Sequence, residues 1–380
     1  MTLLYNFHEC GSTEEHNSTQ IFISQGKIAA IGEVKTKAGE EFINCQGLTL
    51  LPGFIDLHTH GALGHEIIGI DEAGLQKISL FYARHGVTGF LASPWTAPRQ
   101  AITDSLNVIR NVMGHEQGAR ILGAHMEGPW LNTVFCGAQD KTLIRTAERE
   151  EALSHLDSGI VKLVAVAPEV EGNRWLIEEC ARRGITIAAG HTNATYAEMQ
   201  QAVSLGVRQV THCFNAMRPL NHREPGVVGA AMTMNEIKCE LIADNIHVNP
   251  VVMKLLLDVK GPEGVILISD SISAAGMPDG AYTFEGMPVT VVNGAACLTD
   301  GTLAGSTLTM ERALANFAQA TRRPLAELVP CSSTNAAKAI HLDNTKGRIA
   351  IGYDADLILV DQNLHVKLTM VGGKIVYSEL

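Results

Sequence analysis

The sequence predicts an α/β protein: a (β/α)8 barrel of the TIM type beside a small β-sandwich domain formed by both termini. Three observations carry this. Eight short apolar runs recur at 53–58, 87–93, 119–127, 161–169, 185–191, 209–214, 239–244 and 265–270. Amphipathic stretches of helical length, such as 74–85, 173–183 and 197–205, lie between several of them. Both chain ends instead hold short strands and turns, and neither is long enough for a good sheet alone. Runs that are apolar throughout belong to a parallel sheet covered on both faces, and eight such units with intervening helices close into a barrel. A doubly wound open sheet is the alternative, but no glycine-rich dinucleotide fingerprint follows any run.

The elements follow in order. Near the N-terminus, Ile21-Phe22-Ile23 and Lys27-Ile28-Ala29-Ala30-Ile31 flank Gln25-Gly26 as a hairpin. At the other end, Ala355-Asp356-Leu357-Ile358-Leu359-Val360 and Lys367-Leu368-Thr369-Met370-Val371 read as strands. After Gly372-Gly373 comes a third, Lys374-Ile375-Val376-Tyr377. The expected division is 1–51 plus 336–380 for the composite β domain and 52–335 for the barrel. A length of 380 residues accommodates both, since such a barrel takes about 250.

Composition narrows the function. Hydrophobic residues are 46% and charged residues 18%, enough for a sizeable core. The net charge of −11 argues against nucleic acid and anionic membrane surfaces, which select for basic patches. The first cationic residue is Lys27, unlike the charged start of a signal peptide. No apolar run approaches the ~20 residues of a spanning helix. Eight scattered cysteines form no CxxC pair, which fits reduced thiols in the cytoplasm.

Polar residues mark the C-terminal ends of the runs: Asp56-Leu57-His58-Thr59-His60, His125-Met126-Glu127, Gly190-His191, Thr211-His212 and Ser269-Asp270. In a barrel these ends converge on one mouth, where the active site lies. His58 and His60, two apart on a strand, point the same way. Imidazole and carboxylate together suit Zn²⁺ and similar divalent ions. Taken singly, each has an ordinary reading: an incidental His-x-His, a helix-capping His, a Glu paired with an Arg. Four strand ends with His or Glu, plus an Asp after the eighth run, favour metal.

The chain resembles the amidohydrolase superfamily, and more closely the N-acetylglucosamine-6-phosphate deacetylases, over nearly its whole length. The resemblance rests on Pro52-Gly53-Phe54-Ile55-Asp56, His125-Met126-Glu127-Gly128-Pro129-Trp130, Gly190-His191-Thr192-Asn193-Ala194 and His212-Cys213-Phe214-Asn215-Ala216-Met217. It continues through Arg223-Glu224-Pro225-Gly226, Ala274-Ala275-Gly276-Met277-Pro278-Asp279-Gly280, Leu303-Ala304-Gly305-Ser306 and Gly352-Tyr353-Asp354-Ala355-Asp356-Leu357. It implies hydrolysis of the N-acetyl group of N-acetylglucosamine-6-phosphate, or a close relative, to the amine and acetate. It implies that Glu127, His191 and His212 are the principal metal ligands and Asp270 the catalytic acid/base. His247 would touch substrate near the scissile amide. Asn215, Ala216 and Arg223 would meet sugar and phosphate, and Leu303, Ala304 and Gly305 would line the acetyl side. For Arg223 a surface ion pair with Glu224 is the alternative. One or two divalent ions, zinc foremost, and a homodimer are also implied.

Three departures stand out. Both His58 and His60 are present, where some members lack a functional pair, so a second ion bridged through Glu127 and Asp270 is chemically open. Where members commonly read Lys-Gly-Ala-His, this chain has Cys136-Gly137-Ala138-Gln139. Ala138 and Gln139 then stand at the substrate contact, and Gln lacks the charge of His. The run Ala62-Leu63-Gly64-His65-Glu66 replaces a glycine-rich segment, and a surface loop is expected there. Two other functions remain open. A cyclic-amide hydrolase of the same superfamily would often use a modified Lys at the end of the fourth strand, but that run ends in Ala167-Pro168-Glu169 and Lys162 lies at its start. A non-catalytic scaffold would have lost ligands that are here intact.

Overall fold

The computed structural model describes residues 1–10, 20–32, 41–284 and 286–380. The segments 11–19 and 33–40, inside the expected β domain, lie outside the described residues.

Eight parallel strands form one sheet in sequence order: Phe54–Thr59, Val87–Ala92, Arg120–Glu127, Val161–Val166, Thr186–Ala189, Gln209–Val210, Lys238–Ile242 and Val265–Ile268. Each falls within, or one residue beyond, an apolar run read from the sequence. The ring closes where Thr59 bridges Ser271 and the Asp270 N–H donates to the His58 carbonyl at 2.9 Å. The expected barrel is therefore found. Its helices begin where local chemistry permits. Asp71 accepts from Gly74 N–H to cap Glu72–Arg84, and Thr195 with Glu198 forms a reciprocal capping box on Tyr196–Leu205. Asn249 caps Pro250–Lys260, whose proline at the first turn loses no internal hydrogen bond. Helix Arg174–Arg183 ends at Gly184 in the left-handed region.

The termini build two small sheets. One holds Thr2–Tyr5, Ile21–Ser24, Lys27–Ile31 and Glu41–Asn44; its Gln25-Gly26 turn has φ of 53° and 77°, as a tight hairpin requires. The other joins His8–Glu9 and Thr49–Pro52 to the C-terminal Leu357–Val360, Val366–Val371 and Lys374–Ser378. The ends meet where Thr49–Pro52 pairs antiparallel with Leu357–Val360. Leu4, Ile23 and Ile28 from the first sheet share one apolar cluster with Leu50, Leu357 and Met370 from the second.

The Asp354-Ala355-Asp356 run has a physical reason. Lys346, buried, sits 2.9 Å from Asp354 and 2.6 Å from Asp356. Asp356 Oδ1 also accepts the Gly372 N–H, and its carbonyl accepts Gly53 N–H where the chain enters the barrel. One ion triad thus ties the last strands to the first barrel strand.

Between the eighth barrel strand and the next helix lies an antiparallel sheet not expected from the sequence: Gly280–Phe284, Met287–Val292 and Ala295–Leu298. It packs Phe284 and Val289 against Trp95, Ile272 and Ala304, forming one wall above the barrel mouth.

Candidate metal centre and active site

The strand ends deliver a compact cluster. His191 Nε2 and His212 Nε2 each lie 3.0 Å from Glu127 Oε1 and 3.1 Å from each other. His58 Nε2 and His60 Nε2 are 3.0 Å apart; Glu127 Oε1 lies 3.4 Å from the former, and Glu127 Oε2 lies 3.3 Å from the latter. Asp270 Oδ1 is 3.2 Å from His60 Nε2 and 3.6 Å from His58 Nε2. Glu127 thus stands between two triads whose ligand atoms all converge, and every member is buried.

The hydrogen bonds behind the rings fix what the front can do. His60 Nδ1 faces the Ser93 carbonyl at 2.8 Å, His191 Nδ1 that of Phe135 at 3.0 Å, and His212 Nδ1 that of Asn215 at 3.2 Å. His58 Nδ1 faces Glu240 Oε2 at 3.3 Å. These acceptors require hydrogen on Nδ1, which leaves each Nε2 as a lone-pair donor to a cation. Two such nitrogens 3 Å apart need a positive charge between them. Tetrahedral N/O ligands about 2.0–2.1 Å from zinc stand about 3.3 Å from one another. The Glu127–His191–His212 spacing fits that geometry and leaves a fourth position open.

Electrostatics agree. Burial opposes charge on Glu127, yet His58 and His191 beside it hold its carboxyl well below the usual range. Burial likewise opposes ionisation of Asp270, but His58 and His60 keep its pKa low. Burial disfavours charge on His60, but the hydrogen bonds its ring donates to the Asp270 and Glu127 carboxylates raise its pKa to about 9, so that without a cation in the cluster this nitrogen holds a proton instead. Deeper in the barrel, burial pushes Asp56 up to about 6 and His125 well below the ordinary histidine value.

Three residues of this cluster sit in left-handed backbone: His191 at φ 47°, His212 at 30° and Asp270 at 51°. Gly305, at φ 52°, passes so close that a Cβ would lie 2.4 Å from Ile272 Cγ2 and 2.9 Å from the Asp270 carbonyl. Only glycine allows that segment to reach the site.

Above the cluster opens a cavity of about 370 Å³, lined in part by His60, Glu127, His191, His212 and Asp270. Its other walls include Ala138, Gln139, Asn215, Ala216, His247, Leu303 and Gly305, as the sequence analysis expects. His58 lies one layer below. His247 is oriented by Asp244, whose Oδ2 is 2.6 Å from its Nδ1. Gln139 Nε2 donates to Glu127 Oε2 at 2.9 Å, while its carbonyl accepts Thr96 N–H, which fixes the amide's orientation.

Two expected contacts are placed differently. Ala304 is fully buried and packs with Trp95 and Phe284, because alternate residues of an extended segment face opposite sides. Arg223 is exposed on its loop and does not line the cavity in its own chain. It makes no ion pair with Glu224, whose carboxylate instead accepts Tyr196 and Gly226 N–H groups; its guanidinium rests on His222. His65 and Glu66 form a small hairpin with Gly61–Ala62, away from the cavity lining. Glu169 holds the loop after His191, accepting from Asn132, Thr192 and Asn193. The sequence reading missed Glu240 and Phe284. A lone glutamate inside the apolar run Cys239-Glu240-Leu241-Ile242 was the signal for the first; Phe284 carried none.

Comparison with known proteins decides the family. Residues 49–376 match the model of the amidohydrolase family. An N-acetylglucosamine-6-phosphate deacetylase of Lysinibacillus sphaericus is 35% identical over 376 residues, covering 98% of this chain and 97% of the relative. The chain belongs to the N-acetylglucosamine-6-phosphate deacetylase family of the amidohydrolase superfamily. It is a deacetylase-type amidohydrolase, and its two buried His/Glu triads are arranged as a metal-binding site. An N-acetylgalactosamine-6-phosphate deacetylase of Escherichia coli O157:H7 is 33% identical, covering 97% of this chain and 96% of its own. Among solved structures, a point mutant of the Mycobacterium smegmatis N-acetyl-D-glucosamine-6-phosphate deacetylase, in complex with N-acetyl-D-glucosamine-6-phosphate, superposes with a TM-score of 0.89 at 32% identity and covers 99% of both chains.

Proposed function

We propose that this deacetylase hydrolyses the N-acetyl group of N-acetylglucosamine-6-phosphate, releasing glucosamine-6-phosphate and acetate. The observation that carries the reading is the Glu127–His191–His212 triad, with its fourth position facing a cavity that also holds Asp270. The cavity volume falls in the range of about 300–1,000 Å³ used for small ligands.

The residues divide the work. Glu127, His191 and His212 would hold one divalent ion, and His58, His60, Glu127 and Asp270 a second; the donor set favours zinc. A bound ion supplies Lewis acidity and lowers the pKa of bound water to about 7. Asp270 takes the proton as the water's oxygen bonds to the acetyl carbon. It returns that proton to the amine nitrogen as the C–N bond breaks. His247 and Gln139 face the acetamide, Leu303 and Gly305 line its methyl side, and Asn215 and Ala216 meet the sugar. Arg223, free of any carboxylate among the described residues, is assigned to the phosphate. Val251, Leu255 and Val259 recur every four residues on Pro250–Lys260 and are exposed, which supports the expected homodimer. The eight free cysteines suit a reducing, cytoplasmic setting.

The test is kcat/KM on metal-replete protein for N-acetylglucosamine-6-phosphate and its galacto, manno and unphosphorylated counterparts. The gluco phosphate should lead. Preference for the galacto phosphate would move the assignment to that sugar, and turnover indifferent to phosphate would remove it.

A further inference from the structure

Among the described residues, Glu240 is the carboxylate that stands behind one of the four clustered histidines, on the Nδ1 side of His58. It lies on Lys238–Ile242, two residues before Ile242, so both side chains point into the barrel. Ile242 reaches the cavity floor, and Glu240 sits one layer deeper with no exposed surface. Its Oε2 is 3.3 Å from His58 Nδ1, and its Oε1 accepts from the side chain of Gln209, itself buried on the neighbouring strand. Among the described residues no lysine or arginine pairs with it; His58 is its ion-pair partner.

The asymmetry is informative. The other three imidazoles are oriented by neutral backbone carbonyls, from Ser93, Phe135 and Asn215. A carbonyl therefore suffices to fix the tautomer. A buried carboxylate is far more expensive to desolvate, and it is stable only against a compensating positive charge. What it adds is basicity: a carboxylate behind an imidazole raises the donor strength of the nitrogen in front. The ring so treated belongs to the cluster that His58 shares with His60, Glu127 and Asp270.

We propose that Glu240 is a positioning residue that strengthens and orients His58 as a donor at the second of the two proposed metal positions, the one beside that held by Glu127, His191 and His212. This rests on the metal reading above. Gln209 supports it by holding the second carboxylate oxygen, so that Oε2 stays on His58.

The experiment is a metal titration, independent of substrate. Chelator-stripped protein is titrated with Zn²⁺ against a chromophoric competitor, with stoichiometry checked by elemental analysis and the Co²⁺ form followed by its visible absorption. Wild type should take two ions of distinguishable affinity. Glu240→Gln should keep one unchanged and bind the other about 10- to 100-fold more weakly, with loss of one component of the Co²⁺ spectrum. Glu240→Asp, which keeps the charge at longer reach, should recover part of that loss. If Glu240→Gln fails to fold, the Asp variant decides by the same criterion. Equal isotherms for wild type and variants, or equal weakening of both ions, overturn the proposal. A wild type that deacetylates the sugar phosphate with a single ion overturns it and leaves the proposed function standing; a wild type that takes no ion overturns both.

Discussion

Asp270→Asn separates chemistry from architecture. The Asp270 carboxylate is 3.2 Å from His60 and 3.6 Å from His58, outside the three-atom contact of Glu127, His191 and His212. The amide should therefore leave that triad intact. Asn also tolerates the left-handed backbone that position 270 adopts at φ 51°, whereas Ala would add strain of about 1–2 kcal/mol. What Asn cannot do is accept the water's proton. Loss of a general acid/base lowers turnover by about 10²–10⁴-fold, or about 2.7–5.5 kcal/mol at 1.36 kcal/mol per decade. The assay is kcat on metal-replete protein, with zinc content and thermal unfolding measured on the same samples. The expected result is kcat down at least about 10²-fold, with one zinc retained and the melting temperature little changed. Near-normal turnover would refute the assignment, and loss of the principal ion would show that Asp270 is needed to hold it.

Replacing His191 or His212 by Ala should abolish the principal ion and activity together, since two remaining ligands hold zinc poorly; full metal content after loss of His191 refutes the site. Arg223→Ala should lower kcat/KM for the phosphorylated sugar by about 10- to 200-fold, as expected for a charge-assisted phosphate contact, and leave the unphosphorylated sugar nearly unaffected. An unchanged ratio between the two substrates places phosphate recognition elsewhere. Lys346→Met should destabilise the fold by about 3–5 kcal/mol, because it leaves buried Asp356 without its cation, while Asp354 keeps Lys27 at 3.0 Å; a denaturant midpoint like the wild type's refutes the latch. The pH dependence has a definite sign. Burial opposes both charges, but Lys346 holds Asp354 below its ordinary 3.8, and Asp356 with Asp354 holds Lys346 above its ordinary 10.5. Asp354's contribution is present above about pH 4 and lost as pH falls through its folded value; Lys346's is present below about pH 10.5 and lost as pH rises through its own. The wild-type advantage over Lys346→Met should be widest between those limits, and a pH-independent difference counts against it.

The barrel was legible because its strands are buried on both faces, so continuous apolar runs such as Val164-Ala165-Val166 stand out from the polar helices around them. The candidate ligands were legible because Glu127 and His191 end such runs and His212 interrupts another. The sheet 280–298 was not: its strands are half exposed, and their alternation resembles loop composition. Glu240 was hidden inside an apolar run, where a single charge reads as an interruption until the first barrel strand, two places round the ring, supplies His58. Leu303 and Gly305 line the cavity, but the residue between them faces the other way. Gln139 is expected at the substrate contact; its further hydrogen bond to Glu127 emerges only when the loop after the third barrel strand folds back over the end of that strand.

The left-handed residues join the fold to the chemistry. A barrel strand alternates its side chains between interior and helix layer, so a residue just past the strand points wherever the turn sends it. At His191, His212 and Asp270 the chain turns through positive φ immediately after the apolar run, at a cost of about 1–2 kcal/mol each for an L-residue. Each turn is pinned on the carbonyl side: Asn132 N–H donates to His191 O at 2.9 Å, Asn215 N–H to His212 O at 3.0 Å, and Ser306 N–H to Asp270 O at 2.7 Å. The donors belong to the loops after strands three, six and eight, and these loops carry cavity walls. Strain at the ligands and placement of the substrate-facing walls are thus two ends of the same hydrogen bonds. The cluster is held in a ligand-ready arrangement by the loops that shape the pocket, which is how a site can be preorganised for charge by backbone hydrogen bonds at the base of those loops.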